Sequence, residues 1–183
     1  MAASEPLSAR GVALRPVSIA PLMGHMEEDL QRIEIDSEDA LWEWLSAHHH
    51  SENSYLRLTW KKVDPTRYVS REQILDALLA FGWVDGRRYA VDETKTMQLI
   101  CKRQRQNWTK SYRDRIAKLS SLGLLQPPGL AAVNAAKAKG TWLANQDVDN
   151  LEDPADLRDA LSAQNGLDWR DAAAPSYRRN VLR

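Results

Sequence analysis

The stretch SREQILDALLAFGWVDGRRYAVDETKTMQLIC, residues 70–101, decides the fold of this chain. Its first part has Ser70 and Gln73 at the spacing of a capping box, in which each side chain binds the other residue's backbone. Apolar residues at helical spacing follow: Ile74, Leu75, Leu78 and Leu79. Gly82 supplies a typical helix stop. The first part therefore predicts a helix with one apolar face.

The rest of the stretch predicts two strands. Residues 83–91 form the first, and Gly86 within it indicates a bulge or a close approach by another group. The turn residues 92–94 reverse the chain, and Met97, Leu99 and Cys101 then alternate with Gln98 and Ile100 in a returning strand. We expect an antiparallel hairpin.

On the N-terminal side, the sequence predicts one more helix and one more strand. Ser37 is a plausible N-cap for a helix over about 38–48. In YLRLTWKK, residues 55–62, the apolar residues Leu56, Leu58 and Trp60 alternate with polar ones. This period is typical of a half-buried strand, with Trp60 on the same face as the two leucines.

On the C-terminal side, the patterns predict helices only. One covers about 109–122, a second opens at Pro127-Pro128 and ends at Gly140, and a short third has Asp153-Pro154 as its N-cap and first-turn pair. The fold class is therefore α+β: a small antiparallel sheet backed by helices, with a helical C-terminal part. We expect a flexible leader over 1–26, an α+β core over 27–145 and a short C-terminal helical extension over 146–183.

Composition excludes several classes. The formal net charge of the 183 residues is zero, so no global field recruits nucleic acid or a membrane. The single cysteine, Cys101, permits no intrachain disulfide, and together with the lack of a signal-like N-terminus this favours a cytoplasmic location. No run is apolar enough for membrane insertion. The sequence indicates no oligomeric state.

Four stretches resemble the YdeI/OmpD-associated family, whose members are often labelled bacteriocin-protection proteins. They are ALWEWLSAHHHSENSYLRLTWKK (40–62), LLAFGWVDGRR (78–88), KRQRQNWTKSYRDRIAKLSSLGLL (102–125) and PPGLAAVNAAKAKGTW (127–142). The second is similar to the family's FGW-[IV]-DG element and the third to its basic W-[ST]-K…R stretch. Ala80 and Tyr112 depart from the pattern, and the family's basic closing helix is missing after SYRRNVLR. The resemblance implies an α+β fold of the YjbR/CyaY-like group and a stress or protection role.

The best candidate site combines basic and aromatic residues on the hairpin and the following helix. Arginine beside an exposed indole suits phosphate or carboxylate groups. The candidate ligand-binding residues are Trp83, Asp85, Arg87, Arg88, Arg103, Arg105, Trp108 and Lys110. We expect Arg87, Arg88, Arg103 and Arg105 to gather at one end of the sheet, with Asp85 offsetting part of their charge. The same residues also fit a solvated strand edge, with both indoles in the core.

Three functions stay open. The first is a non-enzymatic stress or bacteriocin-protection-type protein that binds an anionic small molecule or an acidic protein segment. The second is a nucleic-acid-binding module that uses the basic stretch 102–118. The third is an enzyme of unrecognised type, although the usual nucleotide, hydrolase and zinc-protease motifs are missing from the sequence.

We expect no cofactor and no metal. His48, His49 and His50 are consecutive, and successive side chains on a helix point about 100° apart, so one ion cannot be held by all three. Cys101 lies in an apolar alternation and is expected to be an inert thiol.

Overall fold

A computed structural model of the chain describes residues 29–104 and 108–182. The elements follow in the order β1 (Arg32–Ile35), α1 (Glu38–His48), β2 (Tyr55–Trp60), α2 (Arg71–Ala80), β3 (Trp83–Ala90), β4 (Lys95–Lys102), α3 (Lys110–Ser121), α4 (Pro127–Ala138), α5 (Gln146–Asn150), α6 (Ala155–Ala163), α7 (Leu167–Ala172) and α8 (Pro175–Val181). The α+β class and the helical C-terminal part are confirmed. The leader expected over 1–26 lies outside the described residues.

The strands form one sheet in the order β1-β2-β4-β3. β4 pairs antiparallel with both β2 and β3, as the hairpin pattern predicts. β1 was not predicted, and it pairs parallel with β2, so the sheet is mixed rather than wholly antiparallel. Four residues are too few to show a strand period in a sequence, and β1 is fixed by its partner strand.

β2 lies between β1 and β4 and is buried on both faces. Tyr55 packs with α1 and α2 residues in the main core, and Arg57 and Thr59 lie on the same helix-covered face, because side chains alternate along a strand. Leu56 and Leu58 pack with Met97 on the opposite face. The prediction of a half-buried strand with exposed polar residues was therefore wrong: Arg57 is 1% exposed and Thr59 is 3% exposed.

Both predicted N-caps are present. The Ser37 hydroxyl accepts a hydrogen bond from the backbone N–H of Ala40 at 3.1 Å. At α2, the Ser70 hydroxyl accepts from the N–H of Gln73 at 3.3 Å, and the Gln73 side chain accepts from the N–H of Ser70 at 2.9 Å. This capping box fixes the first turn of α2, which forms one wall of the candidate site described below.

α4 lies against the C-terminal end of α2 through two glycines. Gly82 has φ +74°, and a Cβ there would lie 2.9 Å from the carbonyl oxygen of Pro128. A Cβ at Gly129 would overlap the carbonyl of Ala80. Because both obstacles are backbone atoms, they cannot rotate away as a side chain would.

The C-terminal helices are joined by a buried carboxylate. The Asp153 side chain is fully buried and accepts hydrogen bonds from the guanidinium of Arg170, which is also buried. Arg158 and Arg178 lie farther away, at 3.9 and 3.8 Å. Pro154, not Asp153, occupies the N-cap of α6, so the predicted capping role of Asp153 was wrong. Asp153 instead connects α6 to the helices that follow.

Candidate anion-binding site

A buried polar network crosses the helix-covered face of the sheet. Arg57 Nη2 donates to Gln98 Oε1 at 2.8 Å, and Gln98 Nε2 donates to Asp85 Oδ2 at 3.0 Å. The hydroxyl of Tyr112, on α3, donates to Asp85 Oδ1 at 3.3 Å. Side chains from β2, β4, β3 and α3 are thus linked in one chain, with Gln98 on the central pair of strands holding Arg57 in place.

The bulge in β3 brings a second arginine to this network. Asp85 pairs with Ile100 and Arg88 pairs with Gln98, so β3 has one more residue than β4 between these two pairs. This extra residue confirms the bulge that Gly86 indicates. It places Arg88 opposite Gln98, and Arg88 Nη2 lies 3.4 Å from Gln98 Oε1, beside Arg57.

A cavity of about 240 Å³ opens above Arg57, between the sheet, the loop 61–70 and the first turn of α2. Five basic residues line it, and no carboxylate does: Arg57, Lys61, Lys62, Arg71 and Arg88. We call this the basic cavity. The other lining residues are the hydroxyl-bearing Thr59 and Thr96, the aromatic Trp60 and Tyr68, and the apolar Val69 and Ile74.

The charge of Arg57 is poorly compensated. Burial, with a smaller effect from the nearby charge of Arg88, lowers the pKa of Arg57 to about 10, and Asp85 acts in the opposite direction. Its Nε and Nη1 atoms are buried and have no hydrogen-bond partner within the described part of the chain. Within the same residues, none of the five basic side chains of the cavity forms an ion pair. A guanidinium in this setting favours a bound anion.

The structure separates the residues that the sequence grouped together. Arg88 lines the basic cavity, and Asp85 lies next to it in the Gln98 network. Arg87 is exposed on β3 and is not a lining residue. Trp83 is 0% exposed and Trp108 is 1% exposed, so of the two arrangements that the sequence left open, the one with both indoles in the core is present. Both indoles belong to the main core.

The remaining predicted residues lie elsewhere. Arg103 is 8% exposed and stacks on Trp108, with its Cζ 4.1 Å from the ring centroid. Because Arg88 pairs with Gln98, five residues before Arg103, the two arginine backbones are separated by about 17 Å along β4. The predicted gathering of these arginines at one end of the sheet was therefore wrong. Lys110 pairs with Asp114 on α3 at 2.6 Å, and Arg105 lies outside the described residues.

Carboxylates from other elements neutralise much of the basic stretch 102–118. Lys102 pairs with Glu52, Arg113 with Asp149, and Lys118 with Asp76. Arg115 pairs with both Glu72 and Asp76 on α2. These acids are distant in sequence, so a local count of charge overstates how positive this surface is.

Sequence reasoning missed four of the five basic lining residues: Arg57, Lys61, Lys62 and Arg71. Arg57 was assigned to a solvent face because β2 alternates, and Arg71 was noticed only as part of a capping sequence. One signal was present: an arginine between Leu56 and Leu58 in a strand that turns out to be central. Only the strand order, which the unpredicted β1 completes, converts that position into a buried one.

Two negative findings apply to residues 29–104 and 108–182. Those residues contain no group of three or more His, Cys, Asp or Glu side chains that could hold a metal ion. None of the helices found there is both long and apolar enough to cross a membrane.

The fold is that of an α+β protein, and its sheet, loop 61–70 and α2 enclose a cationic cavity that the buried Arg57 lines. The chain belongs to a family described as Domain of unknown function (DUF8412), whose model matches residues 33–132, more than half of the chain. The matched range contains every residue that lines the basic cavity. No curated protein and no solved structure matches the chain.

Proposed function

We propose that this protein binds a small anionic molecule in the basic cavity. The observation that carries the proposal is Arg57: a 1% exposed guanidinium that lines the cavity, with two nitrogen atoms that have no partner within the described residues. Burying a charge without a hydrogen-bonded counter-ion is unfavourable. A bound anion would supply the opposite charge next to the Arg57 guanidinium.

The rest of the cavity supports an anionic ligand. Lys61, Arg71 and Arg88 add positive charge around Arg57, and the hydroxyls of Thr59 and Thr96 add polar contacts. The first turn of α2 lines the cavity through Arg71 and Ile74. The positive end of the α2 dipole therefore lies at this wall and favours negative charge there.

An acidic protein segment is a less suitable ligand for this cavity, because the principal cation, Arg57, is buried at its base. The nucleic-acid alternative relies on the stretch 102–118, where Lys102, Arg113 and Arg115 are already ion-paired. Phosphate-dominated binding to a nucleic acid must weaken steeply as salt rises, so salt titration with an oligonucleotide separates this alternative from binding in the cavity.

The biological setting remains part of the proposal. A non-enzymatic stress or bacteriocin-protection role rests on the resemblance to the YdeI/OmpD-associated family, and a cytoplasmic location rests on the single cysteine. Both agree with a protein that sequesters or senses an anionic metabolite, and neither depends on a catalytic group.

The test is thermal stabilisation by phosphate, sulfate and citrate in an otherwise weakly binding buffer. At a concentration one hundred times Kd, a ligand stabilises the folded state by about 2.7 kcal/mol. For a domain of this size that corresponds to a rise in Tm of roughly 5–10 °C. We expect at least one of these anions to produce such a rise in the wild type.

Three variants locate the effect. Arg57→Met and Arg88→Gln should each abolish most of the stabilisation. Lys102→Gln removes the same charge from the other end of β4, outside the cavity, and should retain it. The proposal fails if no anion stabilises the wild type, or if Arg57→Met and Arg88→Gln both respond as the wild type does.

A further inference from the structure

Four cations of the basic cavity form two pairs that lie on different elements. On the sheet, Arg57 is 1% exposed, and Arg88, whose side chain is exposed, reaches the same Gln98 oxygen. Lys62 and Arg71 are also exposed and lie on the loop and on the first turn of α2. A ligand in the cavity therefore has a sheet pair of cations on one side and a loop-and-helix pair on the other.

The loop lysines Lys61 and Lys62 have no carboxylate to neutralise them within the described chain. Lys61 is held by the backbone carbonyl of Asp92 at 2.6 Å, which positions its charge without cancelling it. Lys62 lies 5.8 Å from the ring centroid of Tyr68 and makes no ion pair with a described residue. A monovalent anion at Arg57 would leave most of this positive charge uncompensated.

The size of the cavity also exceeds one small ion. At roughly 30 Å³ per water molecule, a cavity of about 240 Å³ has the volume of about eight waters. A single phosphate has five heavy atoms and would leave part of that space to solvent. A second phosphate group linked to the first would extend from the sheet pair of cations to the loop-and-helix pair.

The aromatic lining does not offer an open stacking surface at Trp60. The guanidinium carbon of Arg67 lies 3.3 Å from the Trp60 ring centroid, and Lys95 Nζ lies 4.2 Å from it. Because these cations already lie on the ring, an aromatic ring of a ligand gains little by stacking on Trp60. Recognition at this site therefore concerns the anionic groups of the ligand.

We infer that the ligand of the basic cavity carries two or more linked phosphate groups, with one held by Arg57 and Arg88 and the next by Lys62 and Arg71. This inference rests on the proposed function and specifies its ligand class. Arginine and lysine contacts to phosphate oxygens are charge-assisted, and Thr59 and Thr96 provide hydroxyl donors along the cavity wall.

The experiment is isothermal titration calorimetry on the full chain at fixed ionic strength, with inorganic phosphate, pyrophosphate and tripolyphosphate as ligands. We expect pyrophosphate to bind at least tenfold more tightly than phosphate. ADP tests the source of the phosphates: a Kd within threefold of that of pyrophosphate supports recognition through the phosphates alone. An ADP affinity more than tenfold higher would overturn that point, because the nucleoside would then contribute.

The variants separate the two pairs of cations. Lys62→Gln and Arg71→Gln should weaken pyrophosphate binding several-fold while phosphate binding stays within twofold of the wild type. Arg88→Gln should weaken both, and Lys102→Gln should change neither. If phosphate binds and pyrophosphate binds no more tightly, the inference is wrong while the proposed function stands. If none of the three anions binds, the inference is wrong, and if sulfate and citrate also fail to stabilise the wild type, the proposed function is wrong as well.

Discussion

Arg57 on β2 donates a 2.8 Å hydrogen bond to the side-chain oxygen of Gln98 on β4, its partner in the strand register. The amide nitrogen of Gln98 donates in turn to Asp85 at 3.0 Å and to the carbonyl oxygen of Gly86 at 3.1 Å. Gln98 therefore cannot turn its amide without losing these bonds. The orientation of Arg57 is set by contacts on β3, so the β3 bulge and the basic cavity form one structural unit.

Arg57→Met should not destabilise the protein in anion-free buffer. Methionine fills a similar volume and removes a buried cation whose charge is incompletely compensated. Replacing buried charge by apolar residues of similar size is often neutral or stabilising. We expect a free energy of unfolding, measured by urea denaturation, equal to that of the wild type or up to about 1 kcal/mol higher.

A fall of more than about 2 kcal/mol in Arg57→Met would contradict this prediction and would make Arg57 a structural residue. The conservative variant Arg57→Lys is the control. It retains a charge but loses the planar guanidinium, and should be less stable than Arg57→Met.

Ser70→Ala should destabilise the protein by about 1 kcal/mol, because it removes the side-chain acceptor for the N–H of Gln73 at the start of α2. Thr109→Ala is the matched control: Thr109 is the N-cap of α3, but its side chain makes no capping hydrogen bond. We expect its cost to be less than half that of Ser70→Ala in urea denaturation. Equal costs would show that the capping box adds nothing.

Local signals predicted the elements well. The capping box at Ser70, the N-cap at Ser37 and the bulge at Gly86 each depend on residues close in sequence, and all three are present. The site depends on strand order instead. Arg57 is buried because β2 is a central strand and helices cover the face of the sheet on which its side chain lies, and the short edge strand β1 leaves no sequence period.

The charge of the stretch 102–118 was also misjudged from the sequence, because it too depends on residues that are brought together only by the fold. The pairs Arg115–Glu72 and Lys102–Glu52 join residues that are far apart in sequence. A local window therefore indicated a basic surface where the fold neutralises it. It gave no weight to Arg71, which lines the cavity and forms no ion pair with the residues that the structure describes.

Arg170→Met should destabilise the protein by roughly 3 kcal/mol, because it leaves the buried Asp153 carboxylate without its main partner. Arg158→Met is the control: Arg158 lies 3.9 Å from the same carboxylate, but its side chain is 49% exposed. Exposed pairs contribute little, so we expect less than about 0.5 kcal/mol. Denaturant titration followed by circular dichroism checks both values, and similar losses in the two variants would contradict the prediction.

Lowering the pH should show how much the Asp153 carboxylate contributes to stability. The hydrogen bond from Arg170 lowers the pKa of Asp153 below its ordinary value of 3.8. In acid the unfolded chain therefore binds more protons than the folded chain. The contribution of Asp153 to the free energy of unfolding is complete above the pKa of the unfolded state and is lost as pH falls through the pKa of the folded state. Between pH 5 and 2, about the range in which such carboxylates titrate, the wild type should lose more stability than Asp153→Asn. Parallel pH profiles would contradict this assignment.

Gly129→Ala should destabilise the protein by more than about 2 kcal/mol, since its Cβ would overlap the carbonyl of Ala80 and force α4 away from α2. Asn134→Ala changes an exposed residue on the same helix and should be neutral or slightly stabilising. Thermal unfolding checks both variants. A Gly129→Ala protein with the Tm of the wild type would mean that the α2–α4 contact is looser than the structure shows.

The contact between Gly82 and α4 and the contact between Gly129 and α2 also constrain how this family diverges. Two backbones meet at these glycines, so no change elsewhere in the side chains compensates for a substitution there. A chain of this fold with a larger residue at either position would have to place α4 differently. Both glycines lie inside the matched range 33–132, so the position of α4 is built into the part of the chain that defines the family.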